Sequence, residues 1–329
     1  MRYVIIGAGA VGGTIGALLH QHGFQVTLVA RGDHLSAIQR QGLRLARPDG
    51  ERVVELPAVA EPDGLVLEPD TVLLLTTKTQ HSQAALEAWA DVPVRGGGVA
   101  GDELPVVCAQ NGVASERFAL RWFARVYGVC VWLPATFLEP GVVAAEGHPY
   151  PGMLHLGRFP AGQDGTARRL AEDLSASGFA TRLPADVMRW KYGKLLGNLS
   201  NGLQALFGAG DEEIARRLRA EGTAALAAAG IPHTSREEEA AERGDRVQIH
   251  PVAGRPRGGG STWQSLARGA GSVEVDYLNG EIVLLGREHG VATPTNLAVQ
   301  RAVRRAVRTR IPAGRFPAEE FQALLAAAG

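Results

Sequence analysis

The stretch that decides the fold lies close to the N-terminus and reads Tyr3-Val-Ile-Ile-Gly7-Ala-Gly9-Ala10-Val11-Gly12. Its apolar run predicts a buried strand, and the glycines that follow have the spacing G-x-G-x-x-G. In this motif the first glycine permits a tight turn, the second lets the backbone approach a pyrophosphate, and the third lets a helix pack closely on the strand. The N–H groups at the start of that helix then face the phosphates, where the helix dipole favours negative charge.

The residues around the glycines complete a strand–helix–strand unit. Apolar residues at helical spacing follow the motif, and a second strand is predicted at Gln25–Ala30. A glycine loop that binds nothing is the simpler interpretation only where such a context is missing. The sequence therefore predicts a dinucleotide site formed by Gly7, Gly9, Ala10, Val11 and Gly12.

The end of the second strand indicates which dinucleotide is bound. Sites that prefer NAD usually carry Asp or Glu here, because a carboxylate accepts hydrogen bonds from the ribose hydroxyls. This chain has Arg31 at that point, and a guanidinium pairs with a 2′-phosphate. A solvated arginine at the end of a strand is the alternative, and Asp33 lies close by. We predict NADP (NADPH) as the cofactor.

Composition limits the remaining classes of function. The 329 residues suggest two domains, and 34 basic residues balance 34 acidic ones, so we expect neither a nucleic-acid partner nor a membrane partner. No signal peptide or membrane span is recognisable, which favours a cytoplasmic protein. Cys108 and Cys130 lie in apolar runs, and the histidines lack metal-ligand spacing. We therefore expect buried, reduced cysteines and no metal.

The pattern of predicted elements changes near Pro184. Strands and helices alternate before it, which predicts an α/β fold with a Rossmann-type, doubly wound parallel sheet. Apolar residues recur at helical spacing after it, including one helix predicted over Asp186–Phe207. The Gly- and Pro-rich stretch 245–260 is predicted to be a loop or an excursion of the chain. We predict a NADP-binding Rossmann domain at 1–183 and a second, all-helical C-terminal domain for substrate binding and dimerisation at 184–329.

Two groups of polar residues are candidates for the chemistry. Lys78 and Asn111 each follow a predicted strand, where parallel sheets bind ligands, although a surface lysine and a helix-capping asparagine are equally ordinary. Lys194, Asn198 and Asn201 are spaced to share one face of a single helix. Because asparagine is a poor helix former, a site explains this face better than solvent exposure does.

These motifs together resemble those of ketopantoate reductases (2-dehydropantoate 2-reductases). The resemblance spans nearly the whole chain, and its motifs, in chain order, are Gly7-x-Gly9-x-x-Gly12, Thr77-Lys78, Gln110-Asn111-Gly112, Lys194-x-x-x-Asn198 and Val273-Glu274-Val-Asp-Tyr-Leu-Asn-Gly280. It implies a Rossmann domain and a helical domain, with NADPH reducing the ketone of a small 2-keto acid. Ketopantoate is the leading candidate for that substrate.

The resemblance also implies roles for individual residues. Lys194 matches the lysine that hydrogen-bonds the ketone oxygen and supplies the proton, with Lys191 one turn earlier as a rival. Glu274 matches a catalytic-site glutamate that could orient Lys194 or take part in the proton path. The residues expected around the substrate are Asn111, which also faces the cofactor, Asn198, Asn201 and Ser261.

The chain departs from the family pattern around Ser261. Ser265 stands where the pattern commonly has an aspartate, and the stretch 246–260, with Arg255 and Arg257, is longer and more basic than expected. A reductase of another branched 2-keto acid is therefore one alternative, and a non-catalytic NADP(H) sensor is the other. A homodimer formed by the helical half is compatible with the sequence, which does not decide it.

Overall fold

The chain forms two compact units in a computed structural model that describes residues 1–252, 258–269 and 271–328. The first unit comprises Met1–Met188 and Ala240–Arg257, and the second comprises Arg189–Glu239 and Gly258–Gly329. The predicted division placed a single boundary after residue 183. In the structure the first unit continues to Met188 and also includes a segment from the C-terminal half.

Strands are concentrated in the first unit. Their bounds are β1 Arg2–Ile6, β2 Gln25–Val29, β3 Leu43–Arg47, β4 Gly50–Val54, β5 Ala58–Val59, β6 Thr71–Leu75, β7 Pro105–Cys108, β8 Arg125–Trp132, β9 Ala135–Glu139, β10 Val142–Ala145, β11 Gly147–Pro149, β12 Met153–Arg158, β13 Ala180–Arg182 and β14 Val247–Ile249. The main sheet has the order β13-β12-β8-β7-β6-β1-β2-β5, and all its pairs are parallel except β12 with β8. From β5 to β8 this is the strand order typical of a Rossmann fold, as the sequence predicted.

Helices flank this sheet and build the second unit. Their bounds are α1 Ala10–Gln21, α2 Gly32–Gln41, α3 Ser82–Ala90, α4 Ala100–Glu103, α5 Ser115–Ala119, α6 Gly165–Ala176, α7 Val187–Asn198, α8 Asn201–Phe207, α9 Glu212–Ala228, α10 Arg236–Arg243, α11 Ser261–Ala267, α12 Asn279–His289, α13 Pro294–Arg308 and α14 Ala318–Ala326. Short 3₁₀ turns lie at Thr79–His81 and Glu274–Tyr277. The helical C-terminal half confirms that part of the predicted fold class.

The main sheet is buried on both faces, and successive side chains of each strand point alternately into the two cores. Tyr3 and Ile5 of β1 belong to the core on one face, whereas Val4 and Ile6 belong to the core on the other. All four are at most 5% exposed. This double burial explains why the strands read as continuous apolar runs.

The stretch 245–260 is not a loop throughout, as one of its two predicted alternatives had it, because Val247–Ile249 forms β14. This strand pairs antiparallel with β11, and together they make a two-stranded sheet. An ion pair of 2.6 Å between Arg182 Nη1 and Glu242 Oε2 holds the same returning segment on the first unit. Residues 253–257 of the predicted loop, with Arg255 and Arg257, lie outside the described residues.

The single helix predicted over Asp186–Phe207 is wrong. It is interrupted at Leu199 and Ser200, so α7 ends at Asn198 and α8 begins at Asn201. The Leu199 carbonyl, which an unbroken helix would use for its own ladder, accepts a hydrogen bond from the side chain of Asn279 at 3.0 Å. The periodicity of the apolar residues does not reveal this break.

Candidate active site

The glycine-rich loop between β1 and α1 is built as the motif requires. Gly7 has a φ of +108°, and a Cβ added to it would lie 2.8 Å from the Thr77 nitrogen. A Cβ on Gly12 would lie 2.2 Å from the Gly7 carbonyl oxygen and 2.3 Å from Thr76 Oγ1. Both positions therefore exclude any larger residue, because the backbone on the other side of the contact cannot move away cheaply.

Gly9 differs from its neighbours because it faces open space. A Cβ added to Gly9 would meet no atom within 4 Å. Gly9 occupies the N-cap of α1 and makes no side-chain cap, and the first turn, which contains Ala10 and Val11, has no acidic residue. The amides of this turn therefore meet both space and a favourable dipole, which fits the pyrophosphate of a dinucleotide.

Arg31 lies at the end of β2, in the N-cap position of α2. Its side chain is 79% exposed, and its guanidinium is 3.8 Å from a carboxylate oxygen of Glu61, which is itself 58% exposed. Ion pairs at such exposed positions contribute little to stability. A 2′-phosphate could therefore replace Glu61 as the partner of Arg31 at small cost.

The loops that follow β6 and β7 are joined to the glycine-rich loop and to each other. The Thr76 hydroxyl donates to the Gly7 carbonyl at 2.7 Å. Gln110 Nε2 donates to the Thr77 carbonyl at 2.9 Å, and the Thr79 hydroxyl donates to the Asn111 carbonyl at 3.3 Å. The structure thus brings the segments carrying Lys78 and Asn111, both half-buried, to one edge of the sheet.

His34 contacts the glycine-rich loop, and the sequence analysis did not predict this role. Its Nε2 lies 2.7 Å from the carbonyl of Ala8, inside the glycine-rich loop, and its Nδ1 accepts the Gly141 N–H at 2.9 Å. Because Nδ1 is the acceptor, the proton resides on Nε2 and the ring is neutral. Burial lowers the pKa of His34, which favours this neutral form, and the hydrogen bond to Ala8 opposes the shift. A polar residue one helical turn beyond the strand carries no sequence signal for this contact.

In the second unit, Lys194 and Asn198 lie one turn apart on α7, and both are half-buried. Lys191, the rival for the acid role, is only 3% exposed. Asn201 lies beyond the break, in the first position of α8. The helical spacing that relates Lys194 to Asn198 therefore does not extend to Asn201.

Asn201 lies instead beside the start of α11, where Ser261 is the first residue. The Gly260 N–H donates to Gln204 Oε1 at 2.7 Å, which fixes the loop before α11 on α8. A Cβ added to Gly260 would lie 3.4 Å from Asn201 Oδ1. The structure thus brings two of the predicted substrate residues, Asn201 and Ser261, into one neighbourhood.

Comparison with known proteins identifies the family. Residues 3–161 match the family described as Ketopantoate reductase PanE/ApbA, and residues 186–307 match its C-terminal domain. The 2-dehydropantoate 2-reductase of Mesorhizobium japonicum is 32% identical, with 93% of this chain and 97% of the relative covered. The chain belongs to the ketopantoate reductase family. This membership makes it an oxidoreductase with a nicotinamide cofactor, and it confirms the resemblance drawn from the motifs.

Other members of the ketopantoate reductase family agree over the full chain. The 2-dehydropantoate 2-reductase of Halobacterium salinarum is 28% identical, covering 94% of this chain and 99% of the relative. The crystal structure of a PanE/ApbA family ketopantoate reductase from Ralstonia eutropha superposes with a TM-score of 0.76 at 27% identity. It covers 94% of this chain and 99% of its own. Both units therefore share the fold of this family.

Two buried residues of the C-terminal half are compared with the ketopantoate reductase pattern, from which Ser265 departs and which Glu274 matches. Ser265, which replaces the expected aspartate, is 2% exposed, and its hydroxyl donates to the Ser261 carbonyl at 3.0 Å within α11. It thus acts inside its own helix. Glu274 opens the 3₁₀ turn before α12 and is 5% exposed, so its carboxylate is buried within the part of the chain described.

Among residues 1–252, 258–269 and 271–328, no group of three or more His, Cys, Asp or Glu side chains is arranged to hold a metal ion. Cys108 and Cys130 are both buried, and neither forms a disulfide bond with another described residue. Across the same ranges, none of the helices combines the length and apolar character that a bilayer crossing requires.

Proposed function

We propose that this protein transfers a hydride from NADPH to the ketone carbon of 2-dehydropantoate and so forms pantoate. The similarity to 2-dehydropantoate 2-reductases over 97% and 99% of two relatives supports this substrate. Within the structure, the observation that carries the proposal is the one-turn spacing of Lys194 and Asn198 on α7. An ammonium and an amide one turn apart on a helix can both contact one small polar molecule.

The first unit offers the features that NADPH needs. The open space at Gly9 suits the pyrophosphate, and the exposed guanidinium of Arg31 suits a 2′-phosphate. Lys78 is proposed to contact a phosphate or ribose oxygen from the loop after β6. An arginine offers no acceptor to a free 2′-hydroxyl, which is why NADPH is favoured over NADH.

NADPH supplies the hydride when it is bound, and Lys194 supplies the proton. The Lys194 ammonium hydrogen-bonds the ketone oxygen and then gives a proton from Nζ to that oxygen. Negative charge develops on the oxygen as the carbon is reduced. The ammonium therefore stabilises the transition state more than the bound ketone, and this difference is what accelerates the reaction.

The remaining candidate residues bind the substrate and support the lysine. Asn198, Asn201 and Ser261 are proposed to hold the hydroxyl and carboxylate of the 2-keto acid through their amide and hydroxyl groups. Asn111 is proposed to lie between cofactor and substrate at the end of β7. The buried Glu274 is proposed to orient Lys194 or return a proton to it.

Steady-state kinetics on a lysine variant tests the proposal. Native protein should oxidise NADPH when 2-dehydropantoate is added, and Lys194→Ala should lower kcat by about 10²- to 10⁴-fold, the scale of lost general-acid catalysis. Lys191→Ala is the matched control, since it removes a lysine from the same helix. A larger loss in Lys191→Ala would transfer the acid role to that residue, and equal activity in native protein and Lys194→Ala would refute the mechanism.

A panel of 2-keto acids tests the substrate separately from the chemistry. If another branched 2-keto acid is reduced with a higher kcat/KM than 2-dehydropantoate, the substrate assignment fails and the reductase mechanism stands. NADPH binding without turnover of any panel member would instead favour the sensor. The homodimer stays a prediction, which light scattering across a dilution series measures.

A further inference from the structure

The break between α7 and α8 has a specific hydrogen-bonding partner. In a continuous α-helix the Leu199 carbonyl would accept the N–H of residue 203. Here it accepts Asn279 Nδ2 at 3.0 Å. Asn279 is the first residue of α12 and is 1% exposed, so this contact is shielded from water. A buried amide donor 80 residues away in the chain thus occupies the point at which the helix is interrupted.

A second buried asparagine orients the first. Asn279 Nδ2 also donates to Asn296 Oδ1 at 3.0 Å, and Asn296 is fully buried. Asn296 Nδ2 in turn donates to the Leu218 carbonyl at 3.1 Å and to Glu221 Oε2 at 2.8 Å. Because the carboxylate and the carbonyl only accept, the Asn296 amide has one favourable orientation, and it presents its oxygen to Asn279.

Glu221 anchors the network at the N-terminus of α13. Its two carboxylate oxygens accept the backbone N–H of Thr295 at 2.8 Å and that of Asn296 at 2.9 Å. A negative charge at this end of a helix is stabilised by the unpaired N–H groups and by the helix dipole. The Glu221 carboxylate can only accept hydrogen bonds. It therefore fixes which group donates and which accepts in each hydrogen bond from Asn296 through Asn279 to the Leu199 carbonyl.

The far side of the break is held at the same place. A Cβ added to Gly202, in the first turn of α8, would lie 2.6 Å from Val299 Cγ1 and 3.6 Å from Asn279 Oδ1. Only glycine lets α8 begin so close to α12 and α13. Asn279 thus contacts the carbonyl before the break and lies near the backbone after it.

We propose that Asn279, oriented by Asn296 and Glu221, is a positioning residue that sets the break after Asn198 and thereby directs Asn198 and Asn201 toward the 2-keto acid. The inference rests on the proposed function, in which these two asparagines bind substrate. A buried amide needs hydrogen-bond partners at defined positions, whereas an apolar side chain does not. The two buried asparagines therefore fix the position at which the helix is interrupted.

The decisive variant is Asn279→Leu, which keeps the branched shape of the side chain and removes its amide donor. KM for 2-dehydropantoate should rise by about 10- to 100-fold, the scale of a small misplacement of binding groups. The dissociation constant for NADPH, measured by fluorescence titration, should stay within about twofold, since the glycine-rich loop belongs to the first unit. If the Leu variant does not fold, Asn279→Ser keeps one donor and should give a smaller increase in KM.

The matched control is Leu226→Ala, a fully buried residue of α9 in the same unit. It should lower the melting temperature at least as much as Asn279→Leu while leaving the substrate KM unchanged. An equal rise of KM in Leu226→Ala would mean that general loss of stability causes the effect, which would overturn the inference. An unchanged KM in folded Asn279→Leu would overturn it as well.

Hydrogen exchange separates this inference from the proposed function. Asn279→Leu should change the protection of backbone amides within 199–203 and leave the amides of α9 protected. Such a local change supports the inference even if native protein fails to reduce 2-dehydropantoate, an outcome that would refute only the proposed function. Unchanged protection of 199–203 would overturn the inference whatever the kinetics show.

Discussion

The glycine-rich loop after β1 and the break between α7 and α8 are both short irregular segments with candidate site residues, yet they are specified differently. In the loop, the spacing of Gly7 and Gly12 indicates that glycine is required at both positions, because each needs backbone freedom or the absence of a side chain. At the break, the demand comes from the amide of Asn279, far along the chain. Local backbone requirements are visible in a sequence, whereas a hydrogen bond from a distant residue is not.

The largest expected effect tests the local side of this comparison. Gly12→Ala would place a Cβ 2.2 Å from the Gly7 carbonyl oxygen, so the free energy of unfolding should fall by about 3 kcal/mol or more and NADPH binding should be lost. Urea denaturation and fluorescence titration measure the two effects. Gly9→Ala is the control, because its Cβ meets open space: stability should change by less than about 1 kcal/mol while NADPH binds more weakly. A stable Gly12→Ala protein would contradict the assigned role of the motif.

A pH experiment tests the contribution of residues that are brought together only by the tertiary structure. His155 in β12 is fully buried, and its Nε2 lies 3.6 Å from Glu242 of the segment that returns from the C-terminal half. Burial first, and then the charges of Arg182 and Arg246, lower the pKa of His155 to about 4 from an ordinary value of 6.5. The unfolded chain therefore binds a proton between these values when the folded protein does not, so stability from this residue is present above pH 6.5 and is lost as the pH falls toward 4.

The loss across that window should reach at most about 3 kcal/mol, at 1.36 kcal/mol for each pH unit. Urea denaturation of native protein and His155→Gln, each at about pH 7 and about pH 4, measures it. The variant should show a weaker pH dependence, because a glutamine does not titrate. The same slope in both proteins would mean that other groups cause the acid sensitivity.

A smaller effect is expected at the far end of the network that holds the break. Glu221→Gln keeps one acceptor oxygen but removes the charge that caps α13, so the free energy of unfolding should fall by about 1–2 kcal/mol. The substrate KM should rise less than in Asn279→Leu, since Glu221 acts on the break through Asn296. Thermal denaturation with parallel kinetics measures both. A larger rise of KM in Glu221→Gln than in Asn279→Leu would contradict the proposal that Glu221 acts on the break only through the asparagines.

The smallest effect is expected at Arg31, where both partners of the ion pair are exposed. Arg31→Ser should weaken NADPH binding by about tenfold, or about 1.4 kcal/mol, and leave NADH binding unchanged, because only NADPH carries the 2′-phosphate. The difference should shrink as salt is added, since an exposed charge is screened. Equal weakening of both dinucleotides would remove Arg31 from the specificity assignment.

Most of the first unit could be predicted from sequence. The apolar strands that are buried on both faces and the glycine spacing define a Rossmann sheet, and the ends of β6 and β7 place Lys78 and Asn111 near the loop. What escaped prediction there is the role of His34, because its two backbone partners come from separate loops. The pairing of Val247–Ile249 with β11 also could not be predicted, because it joins two segments that are far apart in the sequence.

The second unit shows where periodicity stops being informative. It predicted the helices and the pairing of Lys194 with Asn198, but it carried the helix through Leu199 and Ser200, since both fit a helical pattern. It also could not bring Asn201 beside Gly260 and the start of α11, because that neighbourhood depends on the hydrogen bond from Gly260 to Gln204.

The sequence by itself determined the parts of this protein that depend on the conformational range of single residues and on burial: the glycine-rich loop, the parallel sheet, the helical second half and membership of the ketopantoate reductase family. The tertiary structure alone decided where α7 ends, which segment of the C-terminal half joins the first unit, and which way the buried amides of Asn279 and Asn296 point. Propensities and apolar spacing are local properties of the chain. The pairing of buried donors with acceptors is satisfied only once distant elements have packed together.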